Sequence, residues 1–334
     1  MADQIALVGG ETLLGHEVKD VFSESSLGRL LRLVAGGEED AGKVVEINGG
    51  ATVLSGLTPD EVEDAAVVIL AGSEESTRKA LEAAPRGRII DLTGITEDDD
   101  GARVRAPLVE DLDLDAGLRN TESSGPIVVA QPAAVAITLL LKRLHRVFAV
   151  ARSVIQVFEP ASERGKAGID ELQQQTVSLL SFQPMEKKIF DAQLSFNMLA
   201  GLGDDAPLPL AQIEERIERH LATLLNSEDD GVPMPSLRLI QAPVFHGYSI
   251  SAWIEFEDAP SPAEVEQALQ EGGIDVRGEG LEPPNNAGIA GISGIAVGAV
   301  SADRNNGNAV WVWMVADNLR LTAENAARLA MEVL

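Results

Sequence analysis

A glycine-containing segment near the N-terminus has a clear chemical meaning. It reads IALVGGETLLG over residues 5–15: a short apolar run, a glycine turn and the first residues of a helical pattern. Dinucleotide folds place a pyrophosphate against the backbone N–H groups of such a turn and the helix N-terminus that follows it. Thr12 stands where the usual pattern has its middle glycine, and its Cβ narrows the approach of a phosphate. The segment predicts a dinucleotide-type turn, either with a bound nucleotide or retained without one.

Three acidic residues affect which nucleotide the protein would bind. Glu38, Glu39 and Asp40 follow the second predicted strand. A carboxylate at that place accepts hydrogen bonds from a ribose 2′-OH and repels a 2′-phosphate. If a cofactor binds, we therefore expect NAD rather than NADP.

Side chains for covalent or metal chemistry are few. The chain has no cysteine, which excludes disulfides, thiolate metal sites and thioester chemistry on a thiol. His16, His145 and His220 lie on predicted helices, with no carboxylate or second histidine at ligand spacing. We therefore expect no metal site.

Composition and charge limit the partners. With 334 residues and 45% hydrophobic content, the chain is long enough for about two globular domains. Lys and Arg number 26 against 53 Asp and Glu, and the net charge of −27 repels nucleic-acid phosphates and anionic lipids. No stretch reaches the roughly 18 uncharged apolar residues of a spanning helix, and the N-terminus lacks a secretory signal. We expect a cytoplasmic protein with no nucleic-acid or membrane partner.

The order of the predicted elements indicates an α/β fold. In the first third, short apolar runs alternate with helical patterns, which is typical of a doubly wound parallel sheet. Strands are predicted there at 4–8, 30–34, 65–70, 88–92 and 127–130, with helices at 13–22 and after Thr58 and Ser73. After a helix over 134–147, period-2 strands follow at 150–158, 237–244, 248–256 and 309–315, with a helix at 213–225 and a loop at 283–294. The predicted fold is a Rossmann-type dinucleotide-binding domain plus an α+β dimerisation domain with a largely antiparallel sheet.

Four segments form a specific set through their order and spacing. They are GGETLLG at 9–15, ASERGKAGIDEL at 161–172, QLSFNML at 193–199 with APVFHGYS at 242–249, and VADNLRLTAENAA at 315–327. Over the whole chain they resemble the aspartate-semialdehyde dehydrogenase family, in particular its Usg-type branch. The resemblance implies a Rossmann-type domain over 1–130 that the C-terminal helix 318–334 completes, and a catalytic-like and dimerisation domain over 131–317. It also implies a homodimer, and an active homologue is a second candidate partner.

The same resemblance implies that the family's catalytic groups are not retained. Members attack an aldehyde with a cysteine thiolate, pass hydride to NADP and use a histidine as acid and base. The matching positions here hold Ala134 and Tyr248, and Gln241 stands where the family has a substrate-binding arginine. Glu97 falls near the position of a phosphate-binding arginine. We therefore assign no catalytic residue and expect an inactive, dimeric nucleotide-binding or interaction protein. The alternative is an NAD-dependent oxidoreductase acting on a small carbonyl or alcohol without a cysteine thioester.

The resemblance and the glycine turn together predict the cofactor-binding residues. They are Gly9, Thr12, Leu13, Leu14, Gly15, Glu39, Ser73, Ser162, Gly165 and Asn318.

A hydroxyl nucleophile is the remaining route to covalent chemistry. Ser162 begins the segment SERG over 162–165, which matches a Ser-Gly-Ala-Gly type segment of the family, and Thr138 lies one helical turn after Ala134. Either hydroxyl needs an adjacent base. His246, in the strand segment that carries the family's histidine position, is the nearby candidate.

Two apolar segments of the second domain predict assembly. QLSFNML at 193–199 and AVWVWMV at 309–315 offer more apolar surface than one small sheet should expose. They predict a two-fold dimer in which the same patch meets itself. The alternative is an ordinary core strand whose Trp311 and Trp313 are covered by helices of the same chain.

Overall fold

The protein folds as two compact units. The computed structural model describes residues 4–47, 49–110, 125–225 and 231–334. One unit comprises Met1–Ala130 with Thr322–Leu334, and the other comprises Gln131–Leu321. Within the described ranges, no helix is long and apolar enough to cross a bilayer.

A parallel sheet forms the centre of the first unit. Its strands are β1 (Ile5–Val8), β2 (Leu31–Val34), β5 (Val67–Leu70), β6 (Arg88–Asp91), β7 (Arg103–Arg105) and β8 (Ile127–Val129). A hairpin of β3 (Val44–Ile47) and β4 (Gly50–Val53) and the helices α1 (Leu13–Ser23), α2 (Pro59–Val62), α3 (Glu74–Glu82) and α4 (Pro107–Glu110) complete the unit's own elements. The sheet order is β2-β1-β5-β6-β8-β7, and each neighbouring pair is parallel.

The sequence explains why the glycine turn lies where it does. The strands IALV of β1 and VVIL of β5 are apolar throughout and fully buried, as expected of strands covered on both faces. The chain runs from β1 to β2 on one side of the sheet and later returns to β5 on the other side. Ligands of open α/β sheets bind at the carboxyl ends of the strands at such a switch point, and the segment after β1 begins there.

A mixed sheet forms the centre of the second unit. Its strands are β9 (Val150–Glu159), β10 (Ser236–Gln241), β11 (Tyr248–Phe256), β12 (Asp275–Arg277), β13 (Ile295–Ala302) and β14 (Ala309–Ala316). The helices are α5 (Pro132–His145), α6 (Gly165–Leu180), α7 (Leu210–Leu225), α8 (Pro262–Glu271), α9 (Asn286–Ile289) and α10 (Asn318–Val333), the last of which begins in this unit and ends in the first. The order is β10-β9-β11-β14-β13-β12, with three antiparallel pairs in the middle and a parallel pair at each edge. The predicted fold class is therefore confirmed.

Helices cover one face of this sheet, and the other face is partly exposed to solvent. Helix α5 is buried almost throughout because it packs against β9, α7 and α8. Along β9, Ile155 and Val157 are buried, whereas Val154 on the opposite face is 39% exposed. Trp311 on β14 is 38% exposed, so this chain's own helices leave part of the tryptophan face uncovered.

Several predicted elements differ in extent or were missed. The strand expected over 237–244 ends at Gln241, because Pro243 has no N–H to continue the ladder. The helix expected over 134–147 runs over Pro132–His145. The loop expected over 283–294 contains α9, which Asn285 caps by accepting from the Gly288 N–H. Strand β13, with the sequence IAVGAVSA, has too many small residues to show a strand pattern.

Candidate functional site

The turn after β1 has the geometry of a dinucleotide turn. Gly9 has φ of 87°, and a Cβ on it would lie 2.5 Å from the Gly72 Cα after β5. Only glycine therefore fits at this position. The Thr12 hydroxyl oxygen lies 2.9 Å from the carbonyl oxygens of Gly9 and Ala71 and accepts from the Gly15 N–H. The threonine in the middle-glycine position thus caps α1 and ties two strand ends together.

A carboxylate that the sequence reasoning missed lies beside this turn. Glu11 accepts the N–H of Gly36 with both carboxylate oxygens, at 2.9 and 3.1 Å. Gly36 follows β2, so the glutamate joins the turn to the carboxyl end of the neighbouring strand. An acidic residue inside a glycine turn was visible in the sequence. Its negative charge disfavours a pyrophosphate at the same place.

The other expected cofactor positions of the first unit surround the same strand ends. Leu13 and Leu14 open α1, where the first N–H groups of a helix have no partner inside it. Glu39 lies in an exposed 3-10 turn, Glu38–Asp40, after β2. Ser73 caps α3 after β5 by accepting from the Ser76 N–H at 3.2 Å. The turn and the helix N-terminus fit a dinucleotide, whereas Glu11 opposes its phosphates.

In the second unit, Gln131 organises the start of α5. Its Oε1 accepts from the N–H groups of Ala133 and Ala134, at 2.7 and 3.2 Å. Its Nε2 donates to the Tyr248 hydroxyl at 2.7 Å, and its backbone N–H donates to His220 Nδ1 at 2.8 Å. Ala134 and Tyr248 are both fully buried. The positions expected for the family's cysteine and histidine are therefore joined through one glutamine side chain.

The Tyr248 hydroxyl is also hydrogen-bonded to Glu163. Burial, and then the nearby Glu163 and Glu159, raise the pKa of Tyr248 well above its usual value. Asn318 Nδ2 donates to Glu163 Oε1 at 2.6 Å. Burial raises the pKa of Glu163 despite these hydrogen bonds. Tyrosine at this position is thus a neutral hydrogen-bonding group.

A buried ion pair lies at the end of β9. Arg164 Nη1 donates to Glu159 Oε2 at 2.6 Å, and both side chains are almost completely shielded from solvent. Burial raises the pKa of Glu159 to about 7, although Arg164 opposes the shift. The Arg164 guanidinium lies over the Phe190 ring, 5.4 Å from its centroid. Gln241 is also fully buried and donates to the Glu159 carbonyl oxygen at 2.8 Å.

The two hydroxyl candidates have different surroundings. Thr138 is fully buried and donates to the carbonyl oxygen of Ala134 at 2.8 Å. Ser162 Oγ lies 3.3 Å from His246 Nδ1 and 3.2 Å from Asn318 Oδ1. The structure thus brings Ser162 next to the histidine and leaves Thr138 in the helix core.

The predicted cofactor residues divide between the two units. Seven surround the strand ends of the first unit, and Ser162, Gly165 and Asn318 belong to the second. Gly165 lies at the start of α6 with φ of 60°. Sequence reasoning missed Gln131, Glu159 and the hydrogen bonds that tie them to distant segments. Among the described residues, no group of three or more His, Cys, Asp or Glu side chains is arranged to hold a metal ion.

Comparison with known proteins gives consistent matches. The family model described as "Semialdehyde dehydrogenase, dimerisation domain" matches residues 141–321. The chain is 26% identical to an aspartate-semialdehyde dehydrogenase from Rickettsia bellii, over 99% of this chain and 97% of that protein. It is 27% identical to a USG-1 protein homolog from Pseudomonas aeruginosa, with the same coverage. The solved structure of a probable aspartate-semialdehyde dehydrogenase from P. aeruginosa superimposes with a TM-score of 0.81, at 26% identity, over 99% and 98% of the two chains.

Proposed function

The chain belongs to the semialdehyde dehydrogenase family, and from that premise we propose that it lacks the family's thioester chemistry and acts as a dimeric nucleotide-binding or interaction protein. The observation that carries this proposal is the contact between Gln131 and Tyr248 above the buried Ala134. At the positions where the resemblance locates a thiolate and a histidine, the chain has an alanine and a tyrosine, and the tyrosine is hydrogen-bonded to Gln131.

The groups at these positions cannot perform the reaction. The methyl group of Ala134 cannot attack a carbonyl carbon, and the sequence contains no thiol to replace it. The Tyr248 phenol, with its pKa raised by burial, cannot take up a proton as an imidazole does near neutral pH. Gln241 carries no charge for a substrate carboxylate, and its amide donates to the Glu159 carbonyl instead. We therefore assign these residues to holding the fold together.

The nucleotide part of the proposal rests on the first unit. The φ of Gly9 and its close approach to Gly72 preserve the turn at the switch point of the parallel sheet. Glu38, Glu39 and Asp40 follow β2, where a 2′-phosphate would meet negative charge. NAD is accordingly the proposed ligand, in preference to NADP.

The proposal that the protein is a dimer is based on the second unit and on the family to which that unit belongs. Val154 and Trp311 are partly exposed on the face of the sheet opposite to buried Ile155 and Val157. Phe196 and Met198, within the predicted apolar patch, are about two-thirds exposed. A second copy of the chain is the proposed partner, and an active homologue with the same domain is the second candidate.

The charge of −27 argues against nucleic acid and anionic membranes. A cytoplasmic location stays a prediction.

The second candidate function is an NAD-dependent oxidoreductase that acts on a small carbonyl or alcohol without a cysteine thioester. The retained turn at the switch point of the parallel sheet favours it, because that turn positions a cofactor in hydride-transfer enzymes. Reduction of bound NAD by a small alcohol would distinguish it from the first candidate.

Direct calorimetric titration with NAD and with NADP tests the nucleotide part. We expect saturable binding of NAD and weaker binding of NADP. The matched variant Glu39→Lys should reduce this difference, because lysine offers the 2′-phosphate a positive partner. Absence of binding for both nucleotides would leave only the interaction role, and tighter binding of NADP by the unaltered protein would contradict the stated preference.

A further inference from the structure

Three polar side chains from separate segments of the second unit form a connected row. Ser162 lies in the 3-10 turn Ala161–Arg164 after β9, His246 lies before β11, and Asp317 lies between β14 and α10. His246 Nδ1 is 3.3 Å from Ser162 Oγ, and His246 Nε2 is 2.9 Å from Asp317 Oδ2. Ser162 and Asp317 are buried, whereas the His246 side chain is 26% exposed.

Asp317 determines which histidine nitrogen carries the proton. Its carboxylate accepts from the N–H groups of Gly291, Leu319 and Arg320, at 2.7 to 3.0 Å. Burial acts to raise the pKa of Asp317, but the hydrogen bonds from His246, Arg320 and Gly291 outweigh it and lower the pKa. Asp317 is therefore ionised and holds the Nε2 proton of His246. In neutral His246, Nδ1 is then free of a proton and faces the serine.

The backbone fixes the serine in this position. The Ser162 N–H donates to the Phe245 carbonyl oxygen at 3.0 Å, which ties the turn to the residue before His246. Ser162 Oγ has one proton and two acceptors within reach, His246 Nδ1 and Asn318 Oδ1. Rotation of the hydroxyl is enough to direct its proton to the histidine. Asn318 Oδ1 also accepts from the Gly247 N–H at 3.2 Å, so it retains a donor when the serine turns away.

We propose that Ser162 is the nucleophile, His246 the general base and Asp317 the orienting carboxylate of an acyl-transfer site for small esters. A nucleophile in contact with a base that a third group orients is the arrangement such catalysis needs. Ser162 is only 2% exposed, so we expect only short acyl groups to reach its hydroxyl. Helix α6 begins at Gly165, whose N–H donates to the Ser162 carbonyl oxygen and so fixes the turn that carries the nucleophile.

The reaction needs only an ester and water. Ser162 Oγ attacks the carbonyl carbon, its proton passes to His246 Nδ1, and the ester C–O bond breaks with that proton leaving on the alcohol. Water then attacks the acyl-serine, gives a proton to His246, and releases the carboxylic acid as the serine recovers its proton. No oxidant, reductant or nucleotide takes part in the reaction. Ser162 and Asn318 are also among the residues predicted to bind the cofactor, so bound NAD should lower the rate of ester hydrolysis.

Covalent labelling of the full-length protein tests this assignment first. An alkyl fluorophosphonate should add one phosphonyl group to Ser162, as its Oγ displaces fluoride from phosphorus, and peptide mass spectrometry locates the adduct. No adduct on the wild-type protein, or an adduct only at another residue, would overturn the proposal.

Hydrolysis of p-nitrophenyl acetate provides the functional test. Ser162→Ala should abolish the wild-type rate, and His246→Gln and Asp317→Asn should each reduce it by about 100-fold or more. The control is Ser153→Ala, since Ser153 is a buried serine on β9 whose hydroxyl has no hydrogen-bond partner in the part of the chain that the structure describes. Circular dichroism checks that every variant is folded. Hydrolysis by Ser162→Ala at the rate of Ser153→Ala would refute the assignment, whatever the outcome of the nucleotide titration.

Discussion

Gln131 Nε2 donates a 2.7 Å hydrogen bond to the hydroxyl of Tyr248, a residue 117 positions away in the sequence. The same glutamine caps α5 through the N–H groups of Ala133 and Ala134. The positions at which the resemblance locates the family's base and nucleophile, Tyr248 and Ala134, are thereby joined in one buried hydrogen-bond network.

This network predicts that a thiol alone does not restore chemistry. Ala134→Cys places the thiol at a fully buried site, where burial raises its pKa and blocks access. We expect it to react with Ellman's reagent at least about 100-fold more slowly than Ser73→Cys, which places a thiol at an exposed helix cap. Both thiols should react alike in denaturant. Equal native rates, or turnover of aspartate semialdehyde by Ala134→Cys, would disprove the closed site.

The buried Glu159 predicts an unusual pH dependence of stability. Because the folded-state pKa is raised from 4.5 to about 7, the folded protein holds a proton there that the unfolded chain releases near pH 4.5. The contribution of this group to the free energy of unfolding therefore falls as pH rises from about 4.5 to about 7, by about 3 kcal/mol.

Urea unfolding between pH 5 and pH 8 measures this effect. The comparison protein is Glu159→Gln/Arg164→Met, which removes both charges of the pair and so leaves no unpaired buried ion. The wild-type protein should lose about 2.5 kcal/mol more than the double variant across this range. Parallel pH profiles for the two proteins would show that Glu159 titrates normally.

We predict that a substitution at Trp311 weakens the proposed dimer. At a two-fold interface the residue lies close to its own counterpart or to the same patch, so Trp311→Glu brings two carboxylates into an apolar contact. We expect dimerisation to weaken by about 2–4 kcal/mol. Light scattering after gel filtration should show twice the chain mass of 35.3 kDa for the wild-type protein and a monomer for the variant at low micromolar concentration.

Val44→Glu is the matched control for assembly. Val44 is 69% exposed on the hairpin of the first unit, so it receives the same charge on a different surface. This variant should remain dimeric. A wild-type monomer at all concentrations, or equal effects of the two substitutions, would contradict the proposed interface.

We predict that the negative charge of Glu11 alone lowers the affinity for the nucleotide. Glu11→Gln removes the negative charge beside the turn while an amide oxygen can still accept the Gly36 N–H. We expect NAD to bind about fivefold more tightly, equivalent to about 1 kcal/mol. Glu46→Gln, an exposed substitution on β3, makes the same change in net charge away from the turn and should leave affinity unchanged. Equal affinities of the two variants would show that Glu11 does not face the phosphates.

Local patterns predicted much of the fold. The uninterrupted apolar runs of β1 and β5 and the glycine turn at Gly9 identify a parallel sheet because burial on both faces leaves no room for polar residues. Helix α6 was not predicted as a separate element, since Gly165 and Gly168 in its first turn weaken the helical pattern.

The candidate sites were less predictable because they depend on distant contacts. Ser162 and His246 are 84 residues apart and meet only after β9 and β11 pair in register. The sequence indicated Ser162 and His246 as candidates, but it could not show that Asp317 is hydrogen-bonded to His246. Glu11 was overlooked because its role depends on Gly36, which β2 brings beside the turn.

Incubation of the purified protein with aspartate semialdehyde, phosphate and either NAD or NADP tests whether the protein performs thioester chemistry, and the absorbance of the reduced nicotinamide measures the reaction. We predict no formation of NADH or NADPH above the rate without protein, because neither a thiolate at Ala134 nor an imidazole at Tyr248 is present. Phosphate-dependent formation of either reduced nucleotide, by an activity that co-elutes with the pure protein, would contradict the proposed loss of thioester chemistry.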